Sequence, residues 1–332
     1  MIVQDDRLRS RRDLLGEVAA ALAMSTASSA ITTRARATGA SPKLPFPPSG
    51  STDCHVHLFE PDHFPYVEPR AYTPGTASVE QLQSFRRNLG IDRVILVQPS
   101  VYGDDNRCML NALRVLGPDV ARGIAVIDPA RTTDPDLRTL KQSGVVGVRV
   151  NLNVKGEDRA TAAIVAVSSA MSRVKAVGLA VQIYVDLPLM ESLSHTIAAS
   201  PVPVILDHFA GAEAARGPEQ PEFAALLRLL DTGKVWVKLS AAYRASRRAP
   251  DYDDVALLAR ALIAANPDRL LWASDWPHTG GGAERRERKS GEIEPFRQVD
   301  DAHLLSLLAS WTDEATVLRK ILVDNPTRLY GF

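Results

Sequence analysis

From Ser51 onward, eight short β-rich runs alternate with helix-length patterns, and few folds accommodate that rhythm. The runs are Thr52–Val56, Arg93–Gln98, Gly123–Ile127, Val145–Asn151, Ala180–Val185, Pro203–Asp207, Val235–Leu239 and Leu270–Ser274. The spacing predicts helices over Val79–Leu89, Asn106–Leu116, Pro135–Gln142, Arg159–Val177, Leu187–Ala199, Pro221–Leu230 and Asp253–Ala265, with Asp301–Trp311 and Asp313–Leu322 closing the chain. Strands joined through single helices imply right-handed βαβ units and a parallel sheet. VILV at 94–97 and PVIL at 203–206 are apolar at successive positions, as in strands covered on both faces. Eight such units predict a single α/β domain over 51–332, a (β/α)8 TIM barrel. The competing architecture is a doubly wound open sheet. It would carry a Gly-rich phosphate loop after its first strand, where this sequence has His-Val-His.

Composition narrows the function classes. Lys+Arg and Asp+Glu are both 39, so no basic excess marks a nucleic-acid protein or a general attraction to acidic membranes. Two cysteines, Cys54 and Cys108, have no CxxC partner; they exclude a disulfide framework and a thiolate zinc site and leave one bridge arithmetically open. Residues 1–50 are expected to be an export signal and linker. Arg11-Arg12 precede Leu14-Leu15 and a short, weakly apolar run, which resembles a twin-arginine signal for a periplasmic or secreted protein. Glu17 inside that run favours the alternative, a leader on a cytoplasmic protein. The run is too short for stable membrane insertion. The basic stretch Arg285 to Lys289, within GGAERRERKSGE at 281–292, reads as a solvated loop after the last strand.

The polar residues collect at the C-terminal strand ends, the catalytic face of such a barrel. Strand one ends Asp53-Cys54-His55-Val56-His57, and the period of two points both imidazoles the same way. Strand six ends Asp207-His208 and strand eight Ser274-Asp275-Trp276-Pro277-His278. Arg149 near the end of strand four and Arg244 after strand seven offer planar forks for a carboxylate, unless Asp186 or Asp207 pairs with them internally. Arg70 and Arg122 are weaker candidates for that role. Gln98, Ser100, Tyr102, Tyr184 and Tyr243 are neutral donors near the same face, and Trp276 either walls the pocket or packs behind Asp275. His278 reads as a supporting or surface residue; His63, His195 and His303 lie at no strand end and read as ordinary.

Several stretches together resemble the amidohydrolase superfamily, and within it the 2-pyrone-4,6-dicarboxylate lactonase-like branch. They are TDCHVHLFEPDHFPY at 52–66, YTPG at 72–75, VILVQPSVYGDDN at 94–106, GVRVN at 147–151, VILDHFAG at 204–211, VKLSAAYR at 237–244, LLWASDWPH at 270–278 and NPTRLYGF at 325–332. The resemblance implies a (β/α)8 fold, hydrolysis at a lactone carbonyl, and a site made from His55, His57, His208 and Asp275. Asp275 would be the general base; the imidazoles would orient water and carbonyl. The implied ligand is a small carboxylated lactone, such as 2-pyrone-4,6-dicarboxylate or a muconolactone. The classical metal-bridging lysine and further histidine of the middle strands have no counterpart at Arg149, Gln182, Tyr184 or Asp186, and Lys155 lies beyond strand four in a loop. A binuclear centre is therefore not expected. No cofactor is required, although His55, His57, His208 and Asp275 could hold a single zinc ion. Competing functions are lactone isomerisation on a sugar-acid lactone, metal-dependent hydrolysis or decarboxylation, and binding without turnover.

Overall fold

The computed structural model describes residues 46–153, 159–281, 285, 287–289 and 291–332. The expected export signal and most of its linker, and also Lys155, lie outside the described residues. Eight parallel strands follow one another in chain order: β1 (Thr52–Val56), β2 (Arg93–Val97), β3 (Ala121–Ala125), β4 (Val145–Asn151), β5 (Ala180–Tyr184), β6 (Val204–Leu206), β7 (Val235–Ser240) and β8 (Leu270–Ala273). The main helices between and after them are α1 (Val79–Leu89), α2 (Arg107–Leu116), α3 (Asp134–Gln142), α4 (Ala160–Val174), α5 (Met190–Ala198), α6 (Phe223–Asp231), α7 (Val255–Ala265) and α8 (Asp301–Trp311). The closing helix expected over Asp313–Leu322 is a shorter one, Ala315–Arg319, that runs through a π-turn (Lys320–Asp324) into Asn325–Tyr330. The seam between β8 and β1 closes just above the strands. Asp275 N donates to His55 O at 3.0 Å, and His57 N donates to Trp276 O at 2.8 Å.

Local chemistry explains the elements. Ser78 caps α1 through a reciprocal box with Gln81, and Gly90 ends it at φ 73°, a left-handed turn that suits glycine. Thr133 and Asp136 do the same for the start of α3. Outward strand residues such as Val94, Leu96, Val204 and Leu206 bury themselves against the helices. Inward residues Cys54, Ile95, Ile124, Ile205, Trp236 and Leu271 form an apolar plug with Tyr330. The barrel is thus filled below and polar above, which leaves one end for chemistry. The apolar α4 buries Ala163, Val167, Ala170, Met171 and Val174 in the core.

Two expectations are corrected. β3 occupies Ala121–Ala125, two residues earlier than expected. Arg122 is tolerated in it because its guanidinium lies 4.6 Å from the Phe332 ring centroid and donates to Gly331 O at 2.7 Å, at the lower rim. Arg122 is therefore at the wrong end of the barrel to meet a ligand. Cys54 and Cys108 are both free and buried.

Candidate active site

Above the apolar plug, His55, Gln182, Asp207 and Lys238 fill the barrel with polar side chains that are wholly excluded from solvent. Asp207 Oδ2 accepts from Gln182 Nε2 at 3.0 Å and from Arg149 Nη2 at 3.4 Å, so Arg149 has an internal acid partner. Its Nη1 also reaches Gln98 O at 3.5 Å, while its Nε is buried without a hydrogen bond among the described residues. Lys238 is the principal residue that sequence reasoning passed over. Its Nζ donates to Gln182 Oε1 at 2.7 Å and lies 3.0 Å from Asp207 Oδ1. Burial pushes the Asp207 carboxyl up, but the neighbouring Lys238, His55 and Arg149 together outweigh it, Lys238 foremost, and hold the group well below the usual carboxylate range. The strand VWVKLS alternates Trp236, Lys238 and Ser240 on one face, but its apolar flanks do not tell from sequence that this face is the inward one.

One layer higher the predicted four come together. Nε2 of His57, His55 and His208 lie 3.6, 3.7 and 3.8 Å from Asp275 Oδ1. Asp275 Oδ2 accepts from Tyr243 Oη and Arg244 Nε, each at 2.7 Å, whereas the buried Oδ1 has no hydrogen-bond partner among the described residues. Burial pushes this carboxyl up as well, but the adjacent Arg244 guanidinium is the first of the charges that hold it well below its ordinary range. Burial also lowers all three imidazoles: His57 to about 3, with Arg149 adding to the effect, His208 to about 4, and His55 well below its ordinary value. The site at neutral pH is thus a carboxylate facing neutral imidazoles.

The backbone is strained to make this arrangement. His208, Phe209, Ala210 and Gly211 have φ of 50°, 53°, 54° and 73°, and Asp275 has 67°. Left-handed backbone at a non-glycine residue costs about 1–2 kcal/mol, and such strain clusters at functional sites. Gly211 is required where it stands, since a Cβ there would lie 2.4 Å from Val185 O.

A cavity of about 660 Å³ opens over Asp275, lined by His57, Ser100, Arg149, Tyr184, His208, Tyr243 and Arg244 among others. Tyr72, Asn151, Arg285 and Arg297 also line it and were not predicted to. Arg285 is no solvated loop residue. It ion-pairs with Glu294 at 2.6 Å and lies 3.8 Å from the Tyr72 ring centroid, because the chain returns across the barrel mouth there. The predicted Trp276 is turned away and stacks on Phe85 at 5.5 Å between centroids. Tyr102 is buried behind the wall, accepting from Glu60 N at 2.8 Å. Gln98 gives its Nε2 to Asp105 O at 2.8 Å and offers only its backbone carbonyl to Arg149. Arg70 pairs with Glu68 outside the cavity. His278 meets Asp301 at 3.0 Å and the Tyr243 hydroxyl at 3.4 Å, while His63, His195 and His303 stay away from the site.

The amidohydrolase sequence family matches residues 52–332. The chain belongs to the amidohydrolase family. Among its relatives is a 4-sulfomuconolactone hydrolase from Rhizobium radiobacter, 37% identical over 290 residues that span 86% of this chain and 91% of that protein. A 2-pyrone-4,6-dicarboxylate hydrolase from Comamonas testosteroni is 32% identical over 293 residues, 85% of this chain and 90% of that one. A ligand-free crystal structure from Agrobacterium tumefaciens superposes with a TM-score of 0.72 at 26% identity, covering 88% of this chain and 98% of the other.

The donor set of this amidohydrolase can hold a divalent ion. Two groups of potential ligands stand within reach of a common centre, His55–His57–Asp275 and His55–Asp207–His208. Tetrahedral zinc ligands at about 2.0–2.1 Å from the ion sit about 3.3 Å apart. The 3.2 Å between the Nε2 atoms of His55 and His57, with the bare Asp275 Oδ1 opposite, is compatible with that. The Lys238 ammonium already neutralises Asp207 in the second group, so the first, with His208, is the one that fits.

Proposed function

We propose that this amidohydrolase opens a small carboxylated lactone of the 2-pyrone-4,6-dicarboxylate or sulfomuconolactone kind, with Asp275 as general base. The observation that carries this reading is the bare, buried Asp275 Oδ1, ringed by three neutral imidazoles at the floor of an arginine-walled cavity. Water in the ring would give a proton to Oδ1 as its oxygen attacks the ring carbonyl. The carbonyl–ring oxygen bond then breaks, and that proton passes to the departing oxygen, leaving a ring-opened acid. A carboxylate this far below its ordinary range is a weak base, so placement supplies most of its effect. Arg244 holds the base and Arg149 stands beside His57, so both place positive charge near an anionic substrate. Where an ion is bound, His55, His57, His208 and Asp275 would hold it, and it would supply Lewis acidity.

The test is a panel of mono- and dianionic lactones, 2-pyrone-4,6-dicarboxylate and 4-sulfomuconolactone included, assayed in oxygen-18 water with and without chelator. One oxygen-18 atom should enter the product carboxylate of a dianionic lactone. Turnover without incorporation would make the enzyme an isomerase, and turnover of no lactone would end the reading.

We also propose export, on the support of Arg11-Arg12 ahead of Leu14-Leu15. Cell fractionation and N-terminal sequencing test it; an uncleaved protein confined to the cytoplasm would refute it.

A further inference from the structure

Lys238 has an unusual position for a lysine: on β7, wholly buried, below the imidazole ring of His55. An ammonium has three N–H donors and no acceptor. Three acceptors surround this one. Gln182 Oε1 is at 2.7 Å, Asp207 Oδ1 at 3.0 Å and His55 Nδ1 at 3.2 Å. Gln182 cannot turn its amide, because its Nε2 is committed to Asp207 Oδ2 at 3.0 Å. The aligned hydrogen bonds of Nζ run to Gln182 and His55, with Asp207 Oδ1 held as an ion pair, so an N–H points at His55 Nδ1, which must offer a lone pair.

A second constraint comes from His57. Its Nδ1 lies 2.7 Å from the Val97 carbonyl oxygen, which can only accept, so the Nδ1 carries hydrogen and the Nε2 carries a lone pair. That Nε2 is 3.2 Å from Nε2 of His55. Two lone pairs at that distance would repel, so His55 must bring the hydrogen. Lys238 and His57 make the same demand of His55 from opposite sides of the ring.

We infer that Lys238 is a positioning residue that fixes His55 as the Nε2–H tautomer and thereby tunes the three-imidazole cage to water in preference to a divalent ion. His55 Nε2–H then donates to His57 Nε2, and a water that enters between them meets one donor and one acceptor beside Asp275 Oδ1. A divalent ion needs lone pairs on both nitrogens. His55 could supply one only as the Nδ1–H tautomer, and the acceptor for that hydrogen is in place: Asp207 Oδ1, 3.3 Å away and without an aligned hydrogen bond. The two states differ by one exchange, Lys238 to His55 against His55 to Asp207. The tautomer assignment rests on hydrogen bonds alone; its meaning for catalysis rests on the lactone hydrolase reading.

The test has two arms that do not require turnover. In protein labelled with nitrogen-15 histidine, long-range proton–nitrogen correlation at neutral pH should show His55 with hydrogen on Nε2 and His57 with hydrogen on Nδ1. His55 protonated on Nδ1 would overturn the inference with no variant needed. In the second arm zinc affinity is measured by chelator competition. Lys238→Met frees His55 to donate to Asp207 and should bind zinc about tenfold tighter or more, the size of effect typical of groups that orient metal ligands. Lys238→Gln, whose amide can still donate to Nδ1, should stay as weak as the parent. Equal affinity in a Lys238→Met protein that unfolds with native cooperativity would also overturn it. If Lys238→Met does not fold, the correlation spectrum and Lys238→Gln decide: a Lys238→Gln protein with Nδ1–H on His55 would sink the inference. Absence of lactone turnover would count against the proposed function and leave both readouts standing.

Discussion

The two oxygens of Asp275 have separate tasks: Oδ2 is pinned by Tyr243 and Arg244, and Oδ1 faces the imidazoles alone. Asp275→Asn keeps the shape and one oxygen for the pinning donors, but presents an amide that cannot take a proton. We expect kcat to fall about a thousandfold, in the range of a lost general base, with thermal unfolding unchanged. Near-full turnover would remove Asp275 from the chemistry. The four residues of this cluster were legible in the sequence because each sits at a strand end in a short polar run. Lys238 was not, because its strand is apolar on both sides of it, and such a strand does not announce which parity faces inward. Trp276 and Tyr102 misled for a related reason. Proximity in sequence to Asp275 and Ser100 says nothing about which side of the wall a side chain takes.

At the scale of elements, the strand–helix rhythm was readable almost to the residue. The bounds of β4, α1 and α8 are those expected, since apolar runs and caps coincide there. The register of β1 was not readable. Between Asp53 and Val56, β1 carries an irregularity in its register with β2, which no period of two reveals. Asp53 ties this stretch to β8, accepting from His55 N at 3.1 Å, from Ser274 N at 3.0 Å and from the Ser274 hydroxyl at 2.5 Å. Burial pushes its carboxyl up to about 7. An unfolded aspartate titrates near about 3.9. Between these values the folded chain keeps a proton that the unfolded chain has released, so stability is lost as pH rises through that window, by about 1.4 kcal/mol per pH unit at most. Asp53→Asn keeps the two backbone hydrogen bonds at Oδ1, turns the Ser274 hydroxyl contact into one donated by the amide, and removes the titration. Urea unfolding should therefore show the variant gaining on the parent from pH about 4 to about 7, and a constant difference across that range would contradict this account. The turn after β6 gives a second prediction. Gly211→Ala places a methyl against the Val185 and Asp186 backbone, so we expect a loss of about 2 kcal/mol or more in unfolding free energy, with His208 displaced and activity lost.

For the whole molecule, charge is balanced, 39 cationic side chains against 39 anionic, so its overall field cannot gather an anionic substrate. Any attraction must be local. The cavity is lined by Arg149, Arg244, Arg285 and Arg297, with Asp186 and Asp275 the acids among its lining residues. The first three arginines are held by Asp207, Asp275 and Glu294 respectively. Arg297 is exposed at the mouth, 5.7 Å from the Tyr243 ring centroid. It can meet an incoming anion without breaking an ion pair that positions Asp275. Arg297→Gln should therefore raise KM for a dianionic lactone severalfold and leave kcat nearly unchanged, the signature of lost uniform binding. The same interaction should fade in salt. Between low ionic strength and about 1 M, where the Debye length shrinks to about 3 Å, kcat/KM of the parent should drop toward that of the variant, which should itself respond less. Parallel salt dependence in the two proteins would mean that the rim charge has no part in capture, and that the buried arginines alone select for anions.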